Sequence, residues 1–233
     1  MNKALKIILE ILLALVAVGC VYGIYRSIMK PVNFNKEKAR RQEVAVQRLK
    51  DIRTLQVAYK GVNNRFASTI DSLKMFYNTG KMDITMQVGS KDDSLAWENT
   101  ERLKKQFKKL SKEELNAKFM ELYKQGEKLV FSISTPIAVK DTLFNNRPDF
   151  CIDSLNFIPF SGGQPVEMES AIKMVSGVHV PLFEARMPWR ALLKGMDNQL
   201  RINLDAECED QGHYKGLQVG SVTAPNNNAG NWE

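Results

Sequence analysis

Few residues of this chain have types and spacing suited to catalysis. Histidine occurs only at His179 and His213. Cys208 lies five positions before His213, so a metal pair is conceivable there, but a structural zinc site takes four protein ligands and no second pair is near. The GxSxG, HExxH and phosphate-loop patterns of common enzymes are also absent from the sequence. The sequence therefore predicts a protein that is not an enzyme and that uses no metal or cofactor.

Glu10 is the residue whose position most needs a chemical explanation. It is the only charged residue in the apolar segment Ile7–Tyr25. A carboxylate in hydrocarbon is energetically costly, and an ionisable group there marks a functional site by default. One interpretation is an intramembrane contact in which Glu10 meets a positive group of a neighbouring helix. The other is that Glu10, about one turn inside the segment, is protonated or reaches the interface.

A second candidate is a run of lysines on a predicted helical part of the chain. Such a run is usually a solvated helix face. The functional interpretation is a surface that docks on anionic lipid or on an acidic partner. The run comprises Lys104, Lys105, Lys108, Lys109 and Lys112.

The last stretch of the chain, residues 220–233, is rich in asparagine and contains glycine. Such a composition cannot form a core, and it predicts a flexible tail. The alternative is a recognition peptide, in which Trp232 and the adjacent terminal carboxylate fold onto a partner.

These candidates depend on the element that begins the chain. As a helix, Ile7–Tyr25 would be roughly 28 Å long, close to the hydrocarbon core of a bilayer. We therefore expect a transmembrane anchor over residues 1–30. Its apolar run continues past the short core of a cleaved signal peptide, which favours retention.

The anchor is followed by an amphipathic stalk helix, expected over residues 31–63. Neither Pro nor Gly interrupts it between Pro31 and Gly61. Apolar residues recur at steps of three and four, as on one face of a helix. We expect this stripe to be covered mainly by a sheet, and it comprises Val46, Leu49, Ile52, Leu55 and Tyr59.

Residues 64–128 are predicted to be mostly helical. Thr69 or Asp71 is a suitable N-cap for a short helix. The segment Ser111–Glu114 has the pattern of a capping box before a further helix. One strand is expected, over Asp83–Gly89, where apolar and polar residues alternate.

Residues 129–219 are predicted to form an antiparallel sheet. Met168–Val175 fits either a helix or a strand, and a turn of helix is expected within Pro188–Met196. The resulting class is α+β: a long N-terminal transmembrane-plus-stalk helix, additional helices, and a C-terminal antiparallel β-sheet packed on them. The expected strands are Leu129–Thr135, Ile137–Phe144, Asp149–Phe160, Gly177–Arg186 and Gln199–Leu204.

Charge limits the class of partner. The net charge is +7 and the pI is about 9.2, which suits either nucleic acid or anionic lipid headgroups. No zinc-finger spacing or RNA-binding aromatic signature occurs, so we expect a membrane and no nucleic acid. Basic residues flank both ends of the apolar segment. Read literally, the positive-inside rule places the C-terminal domain in the cytoplasm, but the rule weakens when a long domain follows the anchor.

The three cysteines leave alternatives open. Cys20 follows Ala17-Val18-Gly19, which approximates the pattern before a lipidated cysteine, although the residues after it remain apolar. Cys151 and Cys208 are either a disulfide in an oxidising compartment or two buried free thiols.

The first third of the chain resembles a known family. Residues 8–19, ILEILLALVAVG, look like the N-terminal helix of type IV pilins and type II secretion pseudopilins, in which a glutamate lies in an apolar helix; Glu10 matches it. Residues 47–73 resemble the pilin segment in which a helix ends in AY, and Tyr59 and Phe66 match its two aromatics. The resemblance does not include the pilin cleavage site, because no glycine precedes the apolar segment. The chain also looks similar to single-pass envelope proteins of Gram-negative bacteria that end in VGSVT…NNNAGNWE.

The resemblance implies a structural or protein-interaction subunit of an envelope assembly. The expected location is the bacterial inner membrane, with the C-terminal domain in the periplasm. The expected partners are the membrane and either further copies of this chain or another envelope protein. The alternative is a binding or accessory module for lipid, glycan or a secreted substrate, tethered to the membrane and using the lysine run or Trp232.

Overall fold

The computed structural model describes residues 3–233, with side chains from Ile11 onward. It combines a long N-terminal helix, shorter helices and antiparallel sheet, so the predicted α+β class is confirmed. The elements in chain order are α1 (Lys3–Asn63), α2 (Ile70–Thr79), β1 (Lys81–Val88), α3 (Ser94–Gln106), α4 (Lys112–Lys124), β2 (Phe131–Ala138), α5 (Val139–Thr142), a 3₁₀ turn (Ile152–Asn156), β3 (Glu167–Val175), β4 (Val178–Pro188), α6 (Trp189–Leu192), α7 (Asn198–Asp210) and β5 (Gly216–Gly220).

Helix α1 is one continuous helix of 61 residues that passes through Pro31. Because proline has no N–H, the carbonyl of Ser27 lacks its usual helical partner at that turn. The predicted anchor and the predicted stalk are therefore two parts of a single element.

The chain divides into two compact units. We call the first the stalk unit; it consists of the chain up to Lys74 together with Cys151–Glu233. The second, the insert unit, is Met75–Phe150. The predicted boundary between residues 128 and 129 falls inside the insert unit, where β1 and β2 pair along their whole length in antiparallel register. A strand pair depends on hydrogen bonds between distant segments. Local sequence pattern therefore does not indicate that strands on the two sides of this boundary pair with each other.

The stalk unit is built on a three-stranded antiparallel sheet in the order β3-β4-β5. The C-terminal half of α1 packs against β4 and β5. Alternate residues of β4 face this core, and Phe183, Ala185 and Met187 are completely buried. The sheet thus covers the stalk helix, as the amphipathic stripe predicts.

The insert unit has its own small core. It consists of Val88, Phe119, Leu129 and Phe131, with partly buried neighbours around it. The expected capping box opens α4: the hydroxyl of Ser111 accepts from the Glu114 N–H, and the Glu114 carboxylate accepts from the Ser111 N–H.

Two of the predicted strands are wrong because local side-chain bonds favour helical turns. Gln199–Leu204 lies in α7, whose N-cap Asp197 accepts from the Leu200 N–H at 2.9 Å. Its alternating apolar residues are compatible with a helix or a strand, and the N-cap bond of Asp197 favours the helix. Asp149–Phe160 contains the 3₁₀ turn, in which the Ser154 hydroxyl donates to the Cys151 carbonyl at 2.7 Å.

The remaining predicted strands agree with the structure to different degrees. Ile137–Phe144 leaves the sheet after Ala138 and turns into α5, so most of that prediction is wrong. Met168–Val175 is strand, and Gly177–Arg186 corresponds to β4.

Candidate functional site

The N-terminal half of α1 presents an apolar surface that nothing in the stalk unit covers. Every side chain from Ile11 to Ile28 is exposed. The apolar window has a mean hydropathy of 1.9, and the helix is long and apolar enough, by length and composition, to cross a membrane. The side chain of Glu10, the predicted intramembrane contact, lies outside the described residues.

Burial of α1 begins abruptly after this exposed half. Phe34 is only 8% exposed. Just before it, the ammonium group of Lys30 lies 2.7 Å from the carboxylate of Asp197. Hydrogen bonding to Lys30 is the largest cause that lowers the pKa of Asp197, with the Leu200 N–H as a second donor. The same carboxylate therefore caps α7 and joins that helix to α1.

Arginines in the next turns of α1 also bind the fold. One guanidinium nitrogen of Arg41 donates to the carbonyls of Leu192 at 3.1 Å and Lys194 at 2.9 Å. Glu37 accepts hydrogen bonds from Arg40 and Arg41, which lower the pKa of its carboxyl to about 2. Part of the positive charge after the apolar segment is thus engaged in holding the stalk unit together. The positive-inside rule counts these arginines as flanking charges and takes no account of their contacts with the folded part.

The predicted stalk stripe lies under the sheet. Leu49, Ile52 and Leu55 are completely buried, whereas Tyr59, nearer the end of the helix, is partly exposed. Tyr59 also borders a cavity of about 340 Å³ with Arg65.

Gln56 is a structural residue that the sequence pattern missed. It is completely buried beside Leu55. Its amide nitrogen donates to the Ala67 carbonyl at 2.8 Å, and its amide oxygen accepts from the Ala67 N–H at 2.9 Å. This pair of bonds fastens the loop after α1 back onto the helix. The sequence did contain one signal of this role: Gln56 is a polar residue at a position that belongs to the apolar stripe of α1.

The last residues fold back onto the stalk unit instead of extending as the predicted flexible tail. The Gly220 N–H donates to the Ala229 carbonyl at 3.0 Å, and Val219 forms an isolated antiparallel bridge with Gly230. The side-chain carboxylate of Glu233 lies 2.7 Å from the guanidinium of Arg53 on α1. These long-range bonds compensate for the lack of an apolar core in the segment.

Trp232, the predicted recognition residue, is used inside this folded tail. A Cβ on Gly230 would come within 2.4 Å of its ring, so the tryptophan lies directly on the glycine. The indole Nε1 of Trp232 is buried and has no hydrogen-bond partner among the described residues. The ring is partly covered by the folded tail, and its role as a recognition residue stays a prediction.

The predicted lysine face divides into two groups in the insert unit. Lys104 and Lys112 border a cavity of about 500 Å³. The ammonium group of Lys104 also bonds Glu101 at 2.8 Å and lies 5.6 Å above the centre of the Trp97 ring. The lysines that are exposed and do not line this cavity are Lys105, Lys108 and Lys109.

The cysteines and histidines form no metal-binding group in the described part of the chain. No cluster of three or more His, Cys, Asp or Glu side chains occurs among the described residues. The three cysteines are free; Cys20 and Cys151 are exposed, and Cys208 is partly exposed. His213 meets Cys208 through the main chain, where its N–H donates to the Cys208 carbonyl at 2.8 Å.

No protein-family model, curated protein or solved structure matches this chain. The resemblance to pilins therefore rests on the quoted segments within residues 8–73.

Proposed function

We propose that this protein is a single-pass, membrane-anchored envelope protein with a structural or interaction role, comparable to a pilin or pseudopilin subunit. One observation carries the proposal: a single helix is exposed on all sides from Ile11 to Ile28, and from Phe34 onward it packs one side against the fold. The second half is covered by the sheet of the stalk unit, whereas no described residue covers the first half, so the first half requires a partner outside the unit. Its length and composition suit the hydrocarbon of a bilayer.

The size of the exposed surface supports a lipid environment. Each large side chain there would gain on the order of 1.5–3 kcal/mol on leaving water. An uninterrupted apolar surface of this kind is rare on a protein that lives in water. In the proposed arrangement, α1 holds the stalk unit at the membrane, and the preferred compartment for the folded part is the periplasm.

The anchor also has features suited to pairing with a second copy. Gly19 and Gly23 are four positions apart, and a Cβ on either would meet no atom within 4 Å. Small residues at this spacing allow two helices to approach closely in a membrane. On the opposite side of the same helix, nine positions before Gly19, Glu10 would meet a positive group of a further neighbouring helix.

Membrane attachment is tested with the full chain expressed in a Gram-negative host. Leu15→Arg with Val18→Arg places two charges in the apolar half, each costing about 2.5–3.5 kcal/mol at the centre of an inserted helix. Wild-type protein should stay in the membrane pellet after alkaline carbonate washing, and the double variant should be lost from it. The matched control, Met86→Arg with Ile172→Arg, alters exposed apolar residues outside α1 and should remain in the pellet. Release of wild-type protein by carbonate would contradict the proposal.

Self-association is tested through Cys20, in a chain carrying Cys151→Ser and Cys208→Ser. Mild oxidation in membranes should give a disulfide-linked dimer. Gly19→Ile with Gly23→Ile should reduce it at least fivefold, whereas Ala14→Ile with Ala17→Ile, on the opposite side of the helix, should not. The absence of a dimer in the parent chain would contradict pairing through the glycines. The contact of Glu10 is tested separately, because Glu10 lies on the side of Ala14 and Ala17: Glu10→Ala should reduce the yield of higher oligomers on chemical cross-linking in membranes, and an unchanged yield would contradict the proposed intramembrane contact. Blocked oxidation caused by a lipidated Cys20 would be visible as a mass increase.

Orientation is tested with the native, exposed Cys151 after Cys20 and Cys208 are replaced by Ser. A membrane-impermeant maleimide should label Cys151 once the outer membrane is opened. Labelling only after the inner membrane is breached would place the domain in the cytoplasm and contradict the periplasmic proposal.

A further inference from the structure

The insert unit contains a groove whose walls come from three parts of the chain. The groove has a volume of about 500 Å³ and lies between α3, α4 and the paired strands β1 and β2. Trp97 stands on α3 with 47% of its surface exposed. A volume of this size matches the clefts that hold small ligands.

The rim of this groove is basic. Lys91, Lys104 and Lys112 line it, and no Asp or Glu is among its lining residues. Lys104 shares its charge with Glu101 at 2.8 Å. Lys91 and Lys112 form no ion pair within the described residues. A bound carboxylate or sulfate group would therefore find charge-assisted donors at the opening.

Polar groups with unused hydrogen-bonding capacity lie between these lysines. The Asn116 amide on α4 and the Ser132 hydroxyl on β2 line the groove, and neither side chain has a hydrogen-bond partner in the described part of the chain. Together they offer donors and acceptors of both kinds, as a ligand bearing several hydroxyl groups requires. Gln87, on β1 beside Ser132, adds a second amide to the same wall.

The apolar part of the groove consists of the exposed Trp97 ring, the partly buried Leu115 and a closed floor. Phe119, Val130 and Phe131 lie at the base but are only 1%, 5% and 7% exposed, respectively. They offer little area to an acyl chain, whose binding depends on the apolar area that it removes from water. Trp97 instead offers one flat amphipathic face next to polar groups. A sugar ring matches that combination better than an extended hydrocarbon chain does.

We propose that the groove of the insert unit binds an acidic saccharide. One sugar ring lies against Trp97, its hydroxyl groups bond Asn116, Ser132 and Gln87, and its carboxylate or sulfate pairs with Lys91 and Lys112. Two lysines of the run, Lys104 and Lys112, line the groove, and they are thus functionally distinct from the other three. This inference is independent of self-association through α1.

The test is calorimetric titration of the full chain in detergent micelles with trigalacturonate. Its fully methyl-esterified form, which has the same rings and no charge, is the matched ligand. The acidic form should bind, and esterification should weaken binding at least tenfold. Lys91→Gln with Lys112→Gln should also weaken binding at least tenfold. Lys105→Gln with Lys108→Gln removes the same charge outside the groove and should change the dissociation constant less than twofold.

Trp97→Ala and Asn116→Ala separate recognition of the sugar from attraction of charge. Trp97→Ala should weaken binding at least tenfold and Asn116→Ala severalfold, while the circular dichroism spectrum of each variant should match that of the parent. No binding of trigalacturonate at millimolar concentration would overturn the proposal. Equal weakening of binding in the two double-lysine variants would also overturn it, because that result indicates that the ligand is attracted by diffuse positive charge. Hexaglutamate or myristate binding more tightly than trigalacturonate, with the same dependence on Lys91 and Lys112, would assign the groove to an acidic peptide or a lipid instead.

Discussion

The two halves of α1 share one helical backbone but differ in every contact they make. From Ile11 to Ile28 all side chains are exposed, and from Ile11 to Tyr25 they are apolar on all sides of the helix. From Phe34 onward one side of the helix carries the buried apolar residues and packs under β4 and β5, whereas Val44, Val57 and Val62 remain exposed. A helix that is apolar all round needs an apolar surrounding, whereas one with a single stripe needs only one partner. The comparison shows that the distribution of apolar residues around α1, rather than their number, decides which half the sheet covers.

The largest expected difference between the halves is in the cost of removing a leucine. Leu55→Ala should lower the free energy of unfolding by about 2–5 kcal/mol, because it leaves a cavity in a closed core. The same change at Leu13, which is 72% exposed, should leave the stability of the stalk unit within about 0.5 kcal/mol of the parent. Denaturant unfolding in micelles, followed by the fluorescence of the buried Trp189, measures both. Equal losses would show that the halves fold as one energetic unit.

A smaller effect is expected at the polar residue of the buried half. Gln56→Ala should cost about 1–3 kcal/mol, because the N–H and carbonyl of Ala67 lose their partners in a buried place. The adjacent Val57→Ala, on the exposed side of α1, is the control and should be nearly neutral. The same unfolding measurement applies. A neutral Gln56→Ala would mean that water replaces the amide, and the fastening role would be withdrawn.

The tail provides a pH-dependent test of contacts on the buried half. Hydrogen bonding from Arg53 is the largest cause that lowers the pKa of Glu233 below its ordinary value of 4.5. Since the folded state favours the carboxylate, the contact stabilises the tail fully above that ordinary value and is lost as the pH falls through the lowered pKa. The hydrogen-exchange protection factor of the Gly220 N–H, which bonds Ala229, should therefore fall over this acidic range.

Glu233→Gln should remove that acid dependence and lower protection already at neutral pH. Lys36→Gln, at an exposed position of α1 far from Arg53 in the helix, keeps the Arg53–Glu233 contact and should retain the dependence. If the protection factor of the Gly220 N–H changes neither with pH nor in Glu233→Gln, main-chain hydrogen bonds alone hold the tail.

The smallest effect is expected where the two halves of α1 meet. Lys30→Gln removes the contact with Asp197, an exposed ion pair whose contribution is modest. It should lower the thermal midpoint slightly at low salt and negligibly at high salt, because ions screen such pairs. Lys36→Gln, which is exposed, is the control with the same charge change. A loss that persists at high salt would instead indicate that Lys30 packs α1 against α7.

Local pattern predicted those elements whose signals lie within a few residues. The capping box at Ser111–Glu114 and the stalk stripe are of this kind, because a cap and a helical face involve only neighbouring turns. Gln199–Leu204 is a segment for which local pattern is not sufficient. Its alternating apolar residues fit a short helix as well as a strand, and the carboxylate of Asp197, bonded to both Leu200 and Lys30, determines the outcome.

The candidate groove could be predicted only in fragments. The lysine run drew attention to Lys104 and Lys112, but Trp97 and Ser132 lie on elements distant in the sequence, and only the folding of the insert unit brings them to one opening. The sequence likewise contained no sign that Arg53 would hold the C-terminal residue, because that contact joins positions far apart in the chain.

By itself, the sequence determined a helix that is apolar all round from Ile11 to Tyr25 and carries one apolar stripe after Pro31, since both properties follow from residue spacing along one element. It also determined the mixed helix-and-sheet class. Only the tertiary structure decided the strand pairing across residues 128 and 129, the folded position of the tail and the grouping of lysines around Trp97. Those features depend on contacts between distant segments, which local periodicity does not encode.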